Sequence, residues 1–292
     1  MKSKIITYID SGAWSAYTQK QTIDIDAYIE YLQENAKYID YYFNLDVIGD
    51  PVASLKNFLY MKRKGMDPIP VYHALEEKTS PLKFLYHYMD HTDYIAIGAI
   101  AKMNMSRRIQ LLDITWADHL TYDDGMPKVK VHGLGMTSHL LMLRYPFYSV
   151  DSTSWVMYGR YGGILVPPYD SKQQIYRYDK NVQKVFISQR SPSKMMDMKH
   201  FDTYHDEEQL NILRYIEQKG YKIGSSVYSK KKKKEIVREE GLSNNHILRD
   251  SFNRMYYIEF AKTIPEWPWS FKSRPGTIFN GKDDFYEILF SR

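Results

Sequence analysis

The chain has 292 residues, of which 43% are hydrophobic and 15% aromatic, so it can bury a substantial core and is expected to be globular. It carries 40 Lys and Arg against 35 Asp and Glu, and the net charge of +5 is compatible with a polyanionic partner but also common among soluble enzymes. Because there is no cysteine, disulfides, thiolate catalysis and cysteine-based zinc sites are excluded.

A repeated pattern organises the N-terminal half: a short β-branched and aromatic run ends at a polar or glycine residue, and a helix-like segment follows. The predicted strand ends are Asp10, Asp46, His73, Gly98, His132-Gly133 and Asp151. Most of them lie about 20 to 35 residues apart, the spacing of β-strand plus helix units. Helices are predicted over Asp24 to Tyr38 and over Pro51 to Gly65, the second with Pro at its start and Gly at its end.

This rhythm predicts an α/β fold, a TIM-like (β/α)8 barrel with some irregularity, because six or more such units in series favour a closed barrel over an open sheet. We expect one barrel-based domain over residues 1–292. Residues 1–170 would hold the catalytic βα units, and residues 171–292 the remaining barrel elements with a helical, basic extension. Beyond Pro168 the pattern loosens, and helices are predicted over His205 to Gly220 and His246 to Thr263.

Asp10 and Asp151 each follow a strand-like run and are each followed by serine. In retaining glycosidases two carboxyl groups about 5 to 5.5 Å apart act as nucleophile and proton donor, and two strands of a barrel could bring these residues to such a site. The alternative for either residue alone is a helix cap or turn, in which the side chain bonds backbone amides.

Several short motifs resemble those of one enzyme family. Asp10-Ser-Gly-Ala-Trp14 resembles the Asp-Ser-Gly-Gly-Phe motif of the tRNA-guanine transglycosylases, also called queuine tRNA-ribosyltransferases. Further motifs follow in the family's order: Leu45-Asp46, Ile97 to Ile100, His132 to Gly135, Val150-Asp151 and Tyr158 to Leu165. The resemblance covers roughly residues 5 to 167. It implies a (β/α)8 barrel that exchanges a guanine in a polynucleotide for a 7-deazaguanine without net hydrolysis.

The resemblance also implies roles for particular residues. Asp151 resembles the nucleophile that attacks C1′, and Asp10 resembles the general acid/base. Asp46 matches the carboxylate that accepts hydrogen bonds from the N1 and N2 edge of guanine, and His73 stands where the family has a base-recognising Gln. The other expected base-binding positions are Gly98, Ala99, Ile100, Trp14, His132 and Gly133, with Trp14 and His132 sandwiching the base. The alternatives are satisfied core histidines for His73 and His132, and packing at the top of the barrel for Trp14.

Departures from the family pattern change the expected substrate. The family's zinc site of three Cys and one His cannot form here, so neither zinc nor any other cofactor is expected. Ile100 to Asn104 lacks the acidic residue that serves an aminomethyl base, which favours a preQ0-type base. Tyr145 to Trp155 resembles the zinc-free branch that modifies DNA in bacteriophages and bacterial defence islands. The expected partners are therefore DNA and a 7-deazaguanine base, with tRNA as the alternative substrate; a homodimer is compatible with the sequence.

Contacts to the nucleic-acid backbone are expected from Arg160 and from Lys230, Lys231, Lys232, Lys233 and Lys234, although such a charge run is often a solvated surface. No run approaches about 18 apolar residues and no signal-peptide h-region is present, so we expect a bacterial or phage-infected host cytoplasm and no membrane partner. Two further alternatives stay open, namely a catalytically silent nucleic-acid-binding barrel and a glycosylase that leaves abasic sites.

Overall fold

The computed structural model describes residues 5–74, 81–100, 103–195, 197–229, 231 and 234–272. It is a mixed α/β protein that divides into two compact units. The first takes its described residues from within Met1–Met136, Arg144–Asp151 and Trp267–Phe279, and the second from within Thr137–Leu143, Ser152–Glu266 and Asn280–Arg292. That residues 1–292 form one domain stays a prediction. No helix in the described ranges is long and apolar enough to cross a bilayer.

Six short parallel strands form the sheet of the first unit. They are β1 (Tyr8–Ile9), β2 (Tyr41–Tyr42), β3 (Val71–His73), β4 (Tyr94–Gly98), β5 (Lys130–Gly133) and β6 (Ser149–Val150). β1 pairs with β2, and β3 to β6 pair in sequence order. A single parallel bridge between Phe43 and Ile69 joins the two groups. The predicted alternation of strands and helices is confirmed here. Most of the predicted strand ends lie at the last residue of a strand or directly after it, but β2 ends at Tyr42, four residues before the predicted end at Asp46.

Helices connect the strands, and their caps explain where they begin. They are α1 (Ala13–Gln19), α2 (Ile25–Glu34), α3 (Pro51–Arg63), α4 (Pro81–Met89), α5 (Met105–Ile114), which continues as a π-helical turn over Thr115–Leu120, and α6 (His139–Arg144). Asp24 caps α2, Asp50 caps α3 and Asn104 caps α5, each by accepting hydrogen bonds from backbone amides of the first turn. The helices predicted from Asp24 and from Pro51 are confirmed, although α2 ends at Glu34 and a 3-10 turn covers Ala36–Tyr38.

The sheet of the first unit is strongly curved. The Tyr8 ring from β1 lies 5.7 Å, centroid to centroid, from the His132 ring on β5. In a flat sheet two strands four positions apart would be separated by about 19 Å. The space inside the curve is filled by a buried cluster of Phe43, Ile69, Val71, Tyr94 and Ala96. A second cluster, of Tyr28, Ile29, Leu32, Leu45 and Met61, packs α2 and α3 on the outside.

The second unit has a different topology. Its elements are α7 (Ser154–Arg160), β7 (Gly163–Val166), β8 (Tyr169–Asp170), β9 (Ile175–Tyr176), β10 (Gln183–Phe186), β11 (Lys194–Met195), β12 (Met198–His200), α8 (Asp206–Gln218), β13 (Ser225–Ser229), β14 (Lys234–Glu239) and α9 (His246–Ala261). The main sheet has the order β11-β12-β10-β7, with β7 antiparallel to β10. β7 lies in the region where further βα units were expected, yet it pairs antiparallel. The helices predicted from His205 and from His246 are confirmed.

Asn44 connects the two groups of parallel strands through its side chain. Backbone bonds from Ile69 N to Tyr42 O and from Asn44 N to Ile69 O begin the pairing. The Asn44 Oδ1 then accepts from Val71 N at 2.9 Å, and its Nδ2 donates to Ser54 O at 3.2 Å. The Asn44 side chain therefore continues the pairing of the two groups of strands beyond the Phe43–Ile69 bridge. It does so two residues before Asp46.

We expect Asn44→Leu to lower the free energy of unfolding by about 1–3 kcal/mol, because the buried N–H of Val71 loses its acceptor. Urea-induced unfolding of the full chain measures the change. Gln33→Leu is the matched control, since it removes an exposed amide from α2 and should change the stability by less than about 0.5 kcal/mol. A loss for Asn44→Leu no larger than that of the control would show that this bond is dispensable.

Candidate active site

Asp151 follows β6 and is held by the turn that follows β5. Its Oδ1 accepts a hydrogen bond of 2.6 Å from the N–H of Gly135, which adopts a left-handed conformation with φ of 67°. His132 Nε2 lies 3.6 Å from the same oxygen, which is too long for a hydrogen bond but within ion-pair range. The Asp151 side chain remains 57% exposed. One oxygen is thus fixed by the protein while the carboxylate stays accessible.

The surroundings of Asp151 favour its ionised form. Desolvation alone would raise the pKa of Asp151, but the His132 ring and the Gly135 N–H outweigh desolvation and lower this pKa below its ordinary value. An ionised carboxylate is the form that can attack an electrophilic carbon.

Asp10, directly after β1, has the opposite shift. Desolvation, the negative charge of Asp46 and, more weakly, that of Asp151 raise the pKa of Asp10, against the opposing effect of the Ser11 and Gly12 amides. The geometry agrees with a shared site, since Ser11, next to Asp10, bonds Asp46, and Tyr8, two residues before Asp10, packs against His132, which lies beside Asp151. Asp10 and Asp151 directly follow β1 and β6, and Asp46 lies four residues beyond the end of β2.

Asp46 and His73 form a buried pair. The Asp46 Oδ2 lies 2.8 Å from His73 Nε2, and its Oδ1 accepts from Ser11 Oγ at 3.0 Å. Both side chains are less than a tenth exposed. Each carboxylate oxygen has a second lone pair, so a guanine edge could add hydrogen bonds to Asp46 without displacing these partners.

The predicted base loop after β4 contains one strained residue. Gly98 ends the strand, and a Cβ there would lie 3.3 Å from Leu134 Cδ1 and 3.4 Å from Val71 Cγ1, so a larger residue would crowd its neighbours. Ala99 has φ of 65°, a left-handed conformation that costs a non-glycine residue about 1–2 kcal/mol. Ile100 is fully buried. Of these three residues, Ala99 is the exposed one.

The two expected stacking residues have different environments. Trp14 on α1 is 48% exposed, with its ring 6.0 Å from that of Tyr17, so its stacking role stays a prediction. The His132 ring is buried against Tyr8 and Phe43, with ring centroids 5.7 and 4.9 Å away. Because the His132 side chain is only 4% exposed, little of the ring is open to a stacking base, which favours a role for its edge instead. Packing explains the glycine at position 133, because a Cβ there would lie 3.1 Å from Met136 Cβ.

The expected phosphate-binding residues belong to the second unit. Arg160 is the exposed last residue of α7. Lys231 and Lys234 are exposed in the hairpin of β13 and β14, while Lys230, Lys232 and Lys233 lie outside the described residues. Within the described ranges, no group of three or more His, Asp or Glu side chains is arranged to hold a metal ion.

Four residues of the site were missed as site residues by sequence reasoning. Ser149 Oγ lies 2.5 Å from His132 Nδ1 and 2.6 Å from Tyr94 OH, and Tyr94 OH lies 3.1 Å from Tyr8 OH. Ser11 bonds Asp46. Two of these residues could have been found from strand periodicity, since Tyr8 and Ser149 lie two residues before Asp10 and Asp151 and so share a face with them.

No protein-family model, curated protein or solved structure matches the chain. The resemblance to the tRNA-guanine transglycosylases therefore rests on the short motifs alone. Chemically, the site offers an accessible carboxylate that is held ionised and a nearby carboxyl group whose pKa is raised, the combination that nucleophilic and acid/base catalysis require.

The opposite pKa shifts predict opposite stability effects. Asp10 binds protons more tightly in the folded chain, so it lowers stability above pH 3.8, and Asp10→Asn should raise the melting temperature at pH 7, with the gain vanishing below pH 3.8. Asp151 binds protons less tightly when folded, so it stabilises above pH 3.8 and loses this effect in more acidic solution. Asp151→Asn should therefore lower the melting temperature at pH 7. Thermal unfolding across pH measures both changes; a destabilising Asp10→Asn at pH 7 would instead indicate a cap or turn role.

Proposed function

We propose that this chain is a transglycosylase that exchanges guanine in DNA for a 7-deazaguanine of the preQ0 type through a covalent aspartyl-sugar intermediate. The observation that carries the proposal is the pair of opposite pKa shifts in one site, lowered for Asp151 and raised for Asp10. Two carboxyl groups whose environments separate their pKa values divide the roles of nucleophile and acid between them.

The proposed reaction balances without a cofactor. The Asp151 carboxylate attacks C1′ of the target nucleoside as the bond from C1′ to N9 breaks, and the electron pair goes to the departing guanine, which Asp10 protonates. The incoming 7-deazaguanine then gives its N9 proton to the Asp10 carboxylate and attacks C1′. The ester bond breaks, and Asp151 is restored as a carboxylate. Asp46 and His73 would recognise the base through the donors on its N1 and N2 edge.

The identity of the nucleophile is supported by the order of groups around His132. Ser149, His132 and Asp151 are the residue types of a serine hydrolase triad, but their exposure is reversed. Here the carboxylate is 57% exposed, whereas the serine hydroxyl is partly buried and bonded to both Tyr94 and His132. The accessible end of this arrangement is the carboxylate, which favours attack by Asp151.

We also propose that the curved sheet belongs to a (β/α)8 barrel. Six parallel strands in sequence order, the ring contact between β1 and β5, and three aspartates at the carboxyl ends of strands support this fold. The closed barrel and the exchange reaction are independent parts of the proposal, because the site chemistry depends only on the residues of the first unit.

DNA is the preferred substrate because the chain lacks the cysteines of the tRNA-binding zinc module and resembles the DNA-modifying branch. The target guanine would have to leave the stack to reach Asp151, at a cost of about a few kcal/mol. A catalytically silent barrel is disfavoured, since carboxylates that repel one another cost folding free energy, and groups with such shifted pKa values cluster at functional sites.

The exchange is tested with labelled 7-deazaguanine and either DNA or tRNA. We expect label to enter DNA and the covalent adduct to be trapped on a denaturing gel, and Asp151→Asn to abolish both. Asp93→Asn is the matched control, because Asp93 is an exposed aspartate before β4, 80% exposed and paired with Lys130. Label in tRNA alone would overturn the DNA preference, and exchange by Asp151→Asn would overturn the nucleophile.

The role of Asp10 predicts the pH dependence of the first half-reaction. Without incoming base, adduct formation should fall as the pH rises through the raised pKa of Asp10, because the departing guanine loses its proton donor. Asp10→Asn should slow adduct formation by about 10²–10⁴-fold and remove this alkaline limb. Single-turnover rates across pH measure both effects, and an unchanged alkaline limb in Asp10→Asn would assign the proton donor to another group.

A further inference from the structure

We infer that His132 is a positioning residue that acts through its edge: the hydroxyl groups of Tyr8, Tyr94 and Ser149 fix its proton on Nε2, where it faces Asp151. The groups form a continuous series within the first unit. The successive distances are 3.1 Å from Tyr8 OH to Tyr94 OH, 2.6 Å from Tyr94 OH to Ser149 Oγ, 2.5 Å from Ser149 Oγ to His132 Nδ1, and 3.6 Å from His132 Nε2 to Asp151 Oδ1.

The direction of the hydrogen bonds in this series follows from its last pair of atoms, His132 Nε2 and Asp151 Oδ1. If Nδ1 carried the proton of the neutral ring, Nε2 would present a lone pair to a carboxylate oxygen, and two acceptors would face each other. With the proton on Nε2, the ring instead presents a donor to Asp151. Nδ1 is then an acceptor and takes the Ser149 proton, so Ser149 must accept from Tyr94. Each hydroxyl has a single proton, and this direction uses all three.

The packing around His132 holds the ring in place, so its Nε2–H cannot turn to another acceptor. The His132 side chain is 4% exposed and lies against Tyr8 and Phe43. Among the described residues, no group accepts a hydrogen bond from its Nε2. A buried donor without a partner is costly, which points to an interaction completed when the site is filled. At 3.6 Å from Asp151 Oδ1, a small closing movement suffices, since catalytic hydrogen bonds are often long before substrate binds.

Given the proposed function, the Nε2–H would serve both half-reactions. It holds the attacking carboxylate ionised and oriented with Oδ2 free to attack, and it faces Oδ1, which regains negative charge when the incoming base displaces the aspartyl ester. A donor at this oxygen improves the leaving group in the second step. Loss of the donor should therefore slow base insertion and let the adduct accumulate.

The tautomer can be tested without any activity. In histidine-labelled protein, two-bond ¹⁵N–¹H correlations of the neutral ring distinguish Nε2–H from Nδ1–H, and a His132→Gln variant assigns the His132 signals among the 9 histidines. We expect Nε2–H in the wild type and a mixed or Nδ1–H ring in Ser149→Ala. Ser149→Thr, which keeps the hydroxyl, and Ser106→Ala, on the exposed start of α5, should match the wild type. A wild-type Nδ1–H ring, or an unchanged tautomer in Ser149→Ala, would overturn the inference.

The effect on Asp151 is measured by ¹³C titration of its carboxyl group. The groups that face it are the His132 ring, the Gly135 N–H and the Asp10 carboxyl. His132→Phe should raise the Asp151 titration midpoint, because the carboxylate loses the ring that helps to lower its pKa. Ser149→Thr should leave the midpoint unchanged. A midpoint unchanged in His132→Phe would show that the ring does not act on Asp151 and would overturn the inference.

Kinetics separate this role from a structural one. At pH 7, Ser149→Ala should slow base insertion about 10-fold and let the adduct accumulate, while the KM for DNA does not rise. A proportional rise in KM would indicate a general loss of site structure and overturn the positioning role. If no polynucleotide supports exchange, the proposed function fails, whereas the tautomer and the titration still decide the inference.

Discussion

The structure of the first unit depends on how it offsets the repulsion between three aspartates near one end of a parallel sheet. Like charges in a partly desolvated site repel, and each carboxylate is compensated differently. Asp46 has Ser11 and His73, and Asp151 has the Gly135 N–H with His132 beside it. Among the described residues, the groups that oppose this repulsion at Asp10 are the backbone amides of Ser11 and Gly12, and its pKa is raised. The opposite pKa shifts of Asp151 and Asp10, on which the proposed roles of nucleophile and acid rest, therefore arise from an uneven distribution of donors around chemically identical side chains.

Side chains also hold together a sheet whose strands are unusually short. β1, β2 and β6 have two residues each, so backbone ladders supply few hydrogen bonds. The amide of Asn44 connects the two groups of strands, and the hydroxyl series through Tyr94 connects β1, β4 and β6, which are not neighbours in the sheet. This explains part of the high tyrosine content of 27 residues, because a tyrosine inside a curved sheet fills space with its ring and bonds with its hydroxyl. The interior that stabilises the sheet is thus the same network that reaches His132, beside Asp151.

The sequence predicted the parts of this unit that depend on local pattern. Strands ending at Asp10, His73, Gly98 and Asp151 could be read from apolar runs that stop at a polar or glycine residue, and helix starts from capping residues. Partners across strands could not, because the contact between Ser149 and His132 depends on the register of β5 against β6. The antiparallel pairing of β7 with β10 was missed for a related reason: strand direction is set by a distant partner and not by the strand's own residues.

The environment of His132 limits which side chains a bound base could stack on. A buried ring covered by Tyr8 and Phe43 offers no face for stacking, so a base above Asp151 would stack on other groups, with Trp14 the expected one. Asp151 itself is 57% exposed, and an aspartyl ester there would be open to water unless the bound base covered it. Under the proposed function, exchange and hydrolysis would thus differ in whether a base covers the ester: the departing and incoming bases would have to protect it, and a rigid donor at Oδ1 leaves the other side of the carboxylate clear for them.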